Sequence, residues 1–155
     1  MTAVTAIVQQ FRLDRTKSGL ALLHDWIDQG YVAGLNGTLK ARPILAERGH
    51  VKFVCDVDEN HANFIGLVHG GVGAALVDIA GGAVAMTLLE PGETLLTTDL
   101  SVRYLQPAVL GMGAMHAEGH VLYNDPRKTV VDVIIRCGEE VVAVGSAGIA
   151  TRPAR

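Results

Sequence analysis

From Gly70 to Leu89 the chain is apolar or small at nearly every position, and Asp78, near the middle, is the one charge in the stretch. A helix with no polar side cannot rest on a protein surface, so this segment has to be wrapped by other structure or lie in a membrane. The run is nominally long enough to cross a bilayer. A carboxylate at its centre would cost about 2.5–3.5 kcal/mol on insertion scales. Gly70, Gly71, Gly73, Gly81 and Gly82 dilute its hydrophobicity further, and neither flank carries a Lys or Arg anchor. The reading is therefore a buried helix from about Gly71 to Leu89, ended by Pro91-Gly92, with no membrane partner. A carboxylate left unpaired in such a helix costs roughly several kcal/mol. Asp78 is thus a candidate for chemistry, beside the plainer alternative of a buried carboxylate that bonds backbone N–H groups.

The surrounding chain is long enough for one domain, taken as 1–155 with residues 1–17 an ill-defined extension. With 49% apolar and only 19% charged residues it has material for a core and does not match a disordered composition. A net charge of -3 and a pI near 6.0 give no basic footprint for nucleic acid, although a local basic patch is compatible with a phosphorylated ligand. Cys55 and Cys137 are the only cysteines, and the start Met1-Thr2-Ala3-Val4 lacks the order of a signal peptide, so the expected location is cytoplasmic.

Along the chain, Ser18 is placed to cap a helix in which Leu20, Leu23, Ile27 and Tyr31 recur at helical spacing, ending near Gly34. Strand-like text starts at Thr38, with Pro43 breaking the first piece and Val51 to Val57 forming the second. Residues 58–69 read as a loop carrying Asn60, His61, Asn63, Gly66 and His69. Four further strands are expected at 94–106, 111–123, 128–137 and 140–151, separated by Pro107, Asn124-Asp125-Pro126 and Gly138. In the second of these, Met115, Ala117, Val121 and Tyr123 should share the buried face, with His116, Glu118 and His120 opposite. One long helix and about six strands, most of them after the helix, indicate an α+β layer rather than a βαβ repeat. Metal binding by His116, Glu118 and His120 is not expected. Alternate strand positions lie about 6.6 Å apart, which puts the two histidines about 13 Å from each other.

The segment Asn63-Phe64-Ile65-Gly66-Leu67-Val68-His69-Gly70-Gly71, followed by Asp78 and by Thr97-Thr98-Asp99-Leu100-Ser101-Val102-Arg103-Tyr104-Leu105-Gln106-Pro107-Ala108, resembles the hotdog-fold acyl-CoA thioesterases, in particular the phenylacetate-pathway subgroup. The likeness runs from about Leu20 to Thr151. It implies a long central helix wrapped by a curved antiparallel sheet, and homodimers whose sheets join edge to edge around shared sites, with a dimer of dimers, a homotetramer, above that. It further implies hydrolysis of an acyl-CoA, aromatic of the phenylacetyl type or short to medium in chain, with no cofactor beyond the coenzyme A of the substrate. By position, Asp78 matches the catalytic carboxylate, Gly70 the backbone donor to the thioester carbonyl, Asn63 its side-chain helper, His69 a neighbouring polar residue and Thr97 the hydroxyl that holds the attacking water. Thr98 takes that place if the strand bulges, and Gly71 joins Gly70 at the helix start. Arg103, Arg127 and Lys128 are candidates for the coenzyme A phosphates, the alternative being solvated surface charge.

The chemistry is consistent with those roles. Thioester hydrolysis needs an activated water or a carboxylate nucleophile, and donors aimed at the oxygen that turns negative. A helix start offers free N–H groups and partial positive charge, and glycine lets a ligand oxygen come close. Asp78 lies about two turns into the same helix, so it reaches a thioester held at a helix start only if the start belongs to a partner chain or the path bends. Plainer readings stand beside these: Asn63 as a loop-holding residue, His69 as a helix cap, Thr97 and Thr98 as ordinary strand residues. Rival functions are a hotdog dehydratase or hydratase and a non-catalytic acyl-CoA binding or sensing protein.

Overall fold

The computed structural model describes residues 14–30 and 33–153. Ser18 caps α1 (Gly19–Gln29) by accepting the Ala21 N–H, and Gly30 ends it in the left-handed region at φ 61. The helix therefore stops before the expected end near Gly34, where a separate short helix, α2 (Gly34–Thr38), begins instead. Tyr31, the last member of the expected helical stripe, lies outside the described residues.

Among the described residues six strands follow the expected count: β1 (Ala41–Glu47), β2 (His50–Cys55), β3 (Glu93–Tyr104), β4 (Met115–Asn124), β5 (Lys128–Cys137) and β6 (Glu140–Pro153). They form one antiparallel sheet in the order β1-β2-β4-β5-β6-β3. Pro43 does not break β1. It sits at a bulge in an edge strand, where a missing N–H leaves no central ladder incomplete. Residues 111–114 are not strand, because Gly111 and Gly113 hold φ of 89 and 110 and pairing starts only at Met115. A second bulge between Val121 and Tyr123 turns the end of β4 over, so Tyr123 is exposed rather than on the face of Met115 and Ala117.

The apolar segment forms α3 (Gly70–Met86), which lies against the sheet from β2 across to the edge strand β3. Small residues let it seat closely. A β-carbon on Gly81 would stand 2.5 Å from the Ala147 Cβ, and one on Gly119 would stand 2.8 Å from Val84 Cγ2. Leu76, Val77 and Val84 are fully buried there, each worth about 1.5–3 kcal/mol relative to exposure. At the helix end, the buried Thr87 hydroxyl donates to the Val84 carbonyl and accepts the Gly49 N–H, tying α3 to the β1–β2 turn. The chain does not wrap the helix completely, contrary to its all-round apolar pattern. Ala74, Ala75, Asp78, Ile79 and Gly82 recur on one stripe and are only half-buried. Among the described residues no helix is long and apolar enough to cross a membrane.

Candidate active site

Asp78 stands on that open stripe, and the Thr97 hydroxyl donates to its Oδ1 at 2.7 Å. The contact depends on a bulge in β3 between Thr97 and Asp99, which gives Thr97 and Thr98 separate surroundings. Thr98 does not take the role allowed to it by a bulge. Its hydroxyl lies 2.7 Å from Asp99 Oδ2 and 3.0 Å from the Gly148 carbonyl. The Thr98 hydrogen bond, followed by that of Lys128, holds the Asp99 carboxyl below the usual carboxylate range.

The second cluster forms at the start of α3. Asn63 Oδ1 accepts the Ile65 and Leu67 N–H groups, both at 3.0 Å, and shapes a turn in which Gly66 takes φ 84. The turn is pinned by Val68 N–H to the Ala108 carbonyl and by His69 N–H to the His61 carbonyl. Loop-holding thus uses only the carbonyl half of the Asn63 side chain; its Nδ2 group makes no hydrogen bond among the described residues. His69 is the helix cap, its Nδ1 accepting the Gly71 N–H at 2.8 Å. That bond occupies the Gly71 donor, whereas the Gly70 N–H has no partner among the described residues. Tyr104, given no role from sequence, lies over this helix start. Its hydroxyl donates to the Gly70 carbonyl, and β-carbons on Gly70 and Gly73 would stand 3.3 and 3.1 Å from its ring. The i, i+3 pair of glycines was the available signal, since together they leave a flat patch that fits an aromatic face.

These clusters open on different cavities. Asp78 and Thr97 line one of about 920 Å³, whose apolar wall includes Leu22, Trp26, Phe53, Ile79 and Met86. Asn63, His69, Gly70 and Tyr104 line another of about 370 Å³. Eight residues of helix separate Gly70 from Asp78, about 12 Å at 1.5 Å per residue. Within one chain, then, the donors and the carboxylate do not meet.

The basic candidates are also dispersed. Lys128 pairs with Asp99 at 3.3 Å, and Arg127 lies on the neighbouring turn. Arg103 pairs with Val144 and Lys128 with Ala150 across β6, about 20 Å apart along the sheet, so the three do not form one phosphate site within a chain. Arg15 and Lys17, not singled out from sequence, line the larger cavity.

On the outer sheet face the donors that gather are His50, Glu118 and His120, their ligand atoms within 4.8 Å; His116 is not among them. Periodicity relates positions within one strand only, and His50 arrives from β2 by direct pairing with His120. The two imidazoles stack at 4.1 Å with planes 10° apart, so their in-plane lone pairs do not converge, and Lys52 Nζ already lies 3.1 Å from Glu118 Oε1. The cluster is a polar network: burial raises the Glu118 carboxyl, but the His50 and Lys52 hydrogen bonds prevail and hold it low. Cys55 and Cys137 are buried free thiols, that of Cys55 pushed up to about 11 by burial, which makes them poor nucleophiles.

The thioesterase superfamily model matches residues 65–144, just over half of the chain. Human acyl-coenzyme A thioesterase 13 is 39% identical over 98 residues, which span 61% of this chain and 69% of that protein. A thioesterase structure from Haemophilus influenzae aligns with a TM-score of 0.76 at 20% identity, over 84% of this chain and 90% of that one. A phenylacetic acid degradation-related protein from Ralstonia eutropha aligns with a TM-score of 0.75 at 18% identity, over 83% of this chain and 98% of that one. At these identities the structures speak to the fold, which is the α+β hotdog arrangement of a long helix against an antiparallel sheet.

Proposed function

Since the chain belongs to the thioesterase superfamily and is by that membership a thioester hydrolase, we propose that it cleaves a phenylacetyl-type or short- to medium-chain acyl-CoA at a site completed by a second copy of itself. The observation that carries this reading is the Thr97–Asp78 hydrogen bond at the wall of a large apolar cavity. Thr97 orients the carboxylate through Oδ1, while Oδ2 has no hydrogen bond among the described residues and is available to a water. Asp78 takes a proton from that water, whose oxygen bonds to the thioester carbon. The carbon–sulfur bond then breaks, and the coenzyme A sulfur leaves as the thiol once protonated. The charge that builds on the carbonyl oxygen needs donors, and the uncommitted Gly70 N–H and Asn63 Nδ2 are of the right kind.

The separation of the two clusters supports a shared site. So does β3, an edge strand whose far side has no neighbour among the described residues and which exposes Leu96, Leu100 and Tyr104. The Asn63 loop also presents Phe64, 99% exposed, beside Ile65. Joining two β3 edges would cover that apolar surface and bring Asp78 toward the helix start of the second copy.

Thiol release from a panel of aromatic and aliphatic acyl-CoA esters tests the reading. Turnover of at least one class is expected. Tight binding with no thiol released across the panel would replace it with an acyl-CoA binding protein.

A further inference from the structure

Gly82 follows Asp78 by four residues, so both stand on one face of α3, about 6 Å apart along its axis. Both line the 920 Å³ cavity. The neighbouring glycines differ in what their missing side chains permit. A β-carbon on Gly81 would collide with Ala147 at 2.5 Å, whereas one on Gly82 would meet nothing within 4 Å among the described residues. Gly81 is required for α3 to seat on β6. Gly82 is required neither by close packing nor by a positive φ, and glycine is unfavourable inside a helix. What Gly82 does is leave the cavity wall open one turn below the carboxylate.

Resting on the hydrolase reading above, we infer that Gly82 sets the length of the acyl group this enzyme accepts. With the thioester carbonyl at Asp78, an extended alkyl chain covers about 6 Å in about five carbons, which brings the following carbons or an aryl ring level with residue 82. Ile79 and Met86 flank that level on the same helix, and Trp26 and Phe53 supply apolar wall from α1 and β2. A side chain at 82 would enter this space, not the protein core. The substrate class that uses the opening is an acyl group of more than about five carbons, or an arylacetyl group of similar length.

The test is kcat/KM for butyryl-CoA and decanoyl-CoA with the wild-type protein, Gly82→Ala and Gly82→Leu, alongside thermal unfolding and gel filtration. The decanoyl-to-butyryl ratio should fall in step with side-chain size, by at least about tenfold for Gly82→Leu. Thermal stability should hold or rise, as expected when a better helix former replaces glycine. Equal loss on both esters, or no loss on either, overturns the inference. So does a change in oligomer size in Gly82→Leu, which would make residue 82 an interface position. If the wild-type protein itself releases no thiol from any ester, the hydrolase reading fails, and this inference with it; selectivity unchanged in an active series defeats the inference alone.

Discussion

In the proposed hydrolysis the start of α3 and its middle carry complementary halves of one chemistry. At the start stand uncommitted donors on one cavity: the Gly70 N–H, at the ring of Tyr104, and Asn63 Nδ2. In the middle stands an acceptor, the Asp78 carboxylate, with one oxygen held by Thr97. The first half is built from a loop clamped by backbone hydrogen bonds, the second from two regular elements brought together by a bulge. A helix is rigid, so no local motion closes about 12 Å between them along its axis. On the proposed reading, one folded chain makes both halves of the site but does not join them.

Asp78→Asn breaks the middle half with the least change of shape, and kcat should fall by about 10² or more in a protein that unfolds at the wild-type temperature. Near-normal turnover would remove Asp78 from the chemistry. Gly70→Val acts on the start: a side chain there has to displace Tyr104, 3.3 Å away, so activity should drop between about tenfold and a hundredfold while stability changes little. Comparable small effects on both would leave Gly70 a turn residue. Thr97→Val keeps the shape but removes the hydrogen bond to the carboxylate, and about a tenfold loss in kcat is expected. The same change at Thr98, which faces Asp99 and Gly148, should cost much less.

Mixing sharpens the comparison further. If each site draws one half from each copy, dimers of Asp78→Ala with Asn63→Ala contain one site with both lesions and one with neither. Refolded mixtures should then recover up to about a quarter of wild-type activity under random pairing. Verified heterodimers as inactive as their parents would place both halves in one chain.

The smallest expected effect concerns pH. Asp58 caps the short 3-10 turn Glu59–His61 that feeds the Asn63 loop, and the Lys40 hydrogen bond holds its carboxyl well below the ordinary range. A depressed carboxylate adds stability that is full above its unfolded pKa of about 4 and is lost as pH falls through the folded value. The stability advantage of wild-type over Asp58→Asn should therefore hold at neutral pH and shrink as pH falls below about 4, as read by thermal unfolding. Lys40 is raised by the same pair, so its share is full at neutral pH and lost only as pH climbs above the usual lysine range. An advantage that grows on acidification would contradict the pairing.

Much of this was legible before any coordinates. Helix, strand count and sheet type follow from periodicity, because burial on one face leaves a repeat of two or of 3.6 residues in the text. Asp78 stood out because a charge amid apolar residues is costly to bury. Register is a different matter. The bulges at Pro43, Val121 and Thr97 each insert a residue that no local pattern marks, and one residue exchanges the faces of a strand. Tyr123 was misplaced for that reason, and the choice between Thr97 and Thr98 stayed open.

The sequence by itself determined that a nearly featureless helix would bury most of its surface against other structure, that antiparallel strands would follow it, and that its single carboxylate needed a reason to be there. Only the tertiary structure decided what meets what: Thr97 with Asp78, Tyr104 over Gly70, His50 rather than His116 beside His120, and one stripe of α3 left uncovered. The physical reason is that periodicity records whether a side chain is buried, whereas the identity of its neighbour is set by pairing between distant strands, where a shift of one residue carries no local signature.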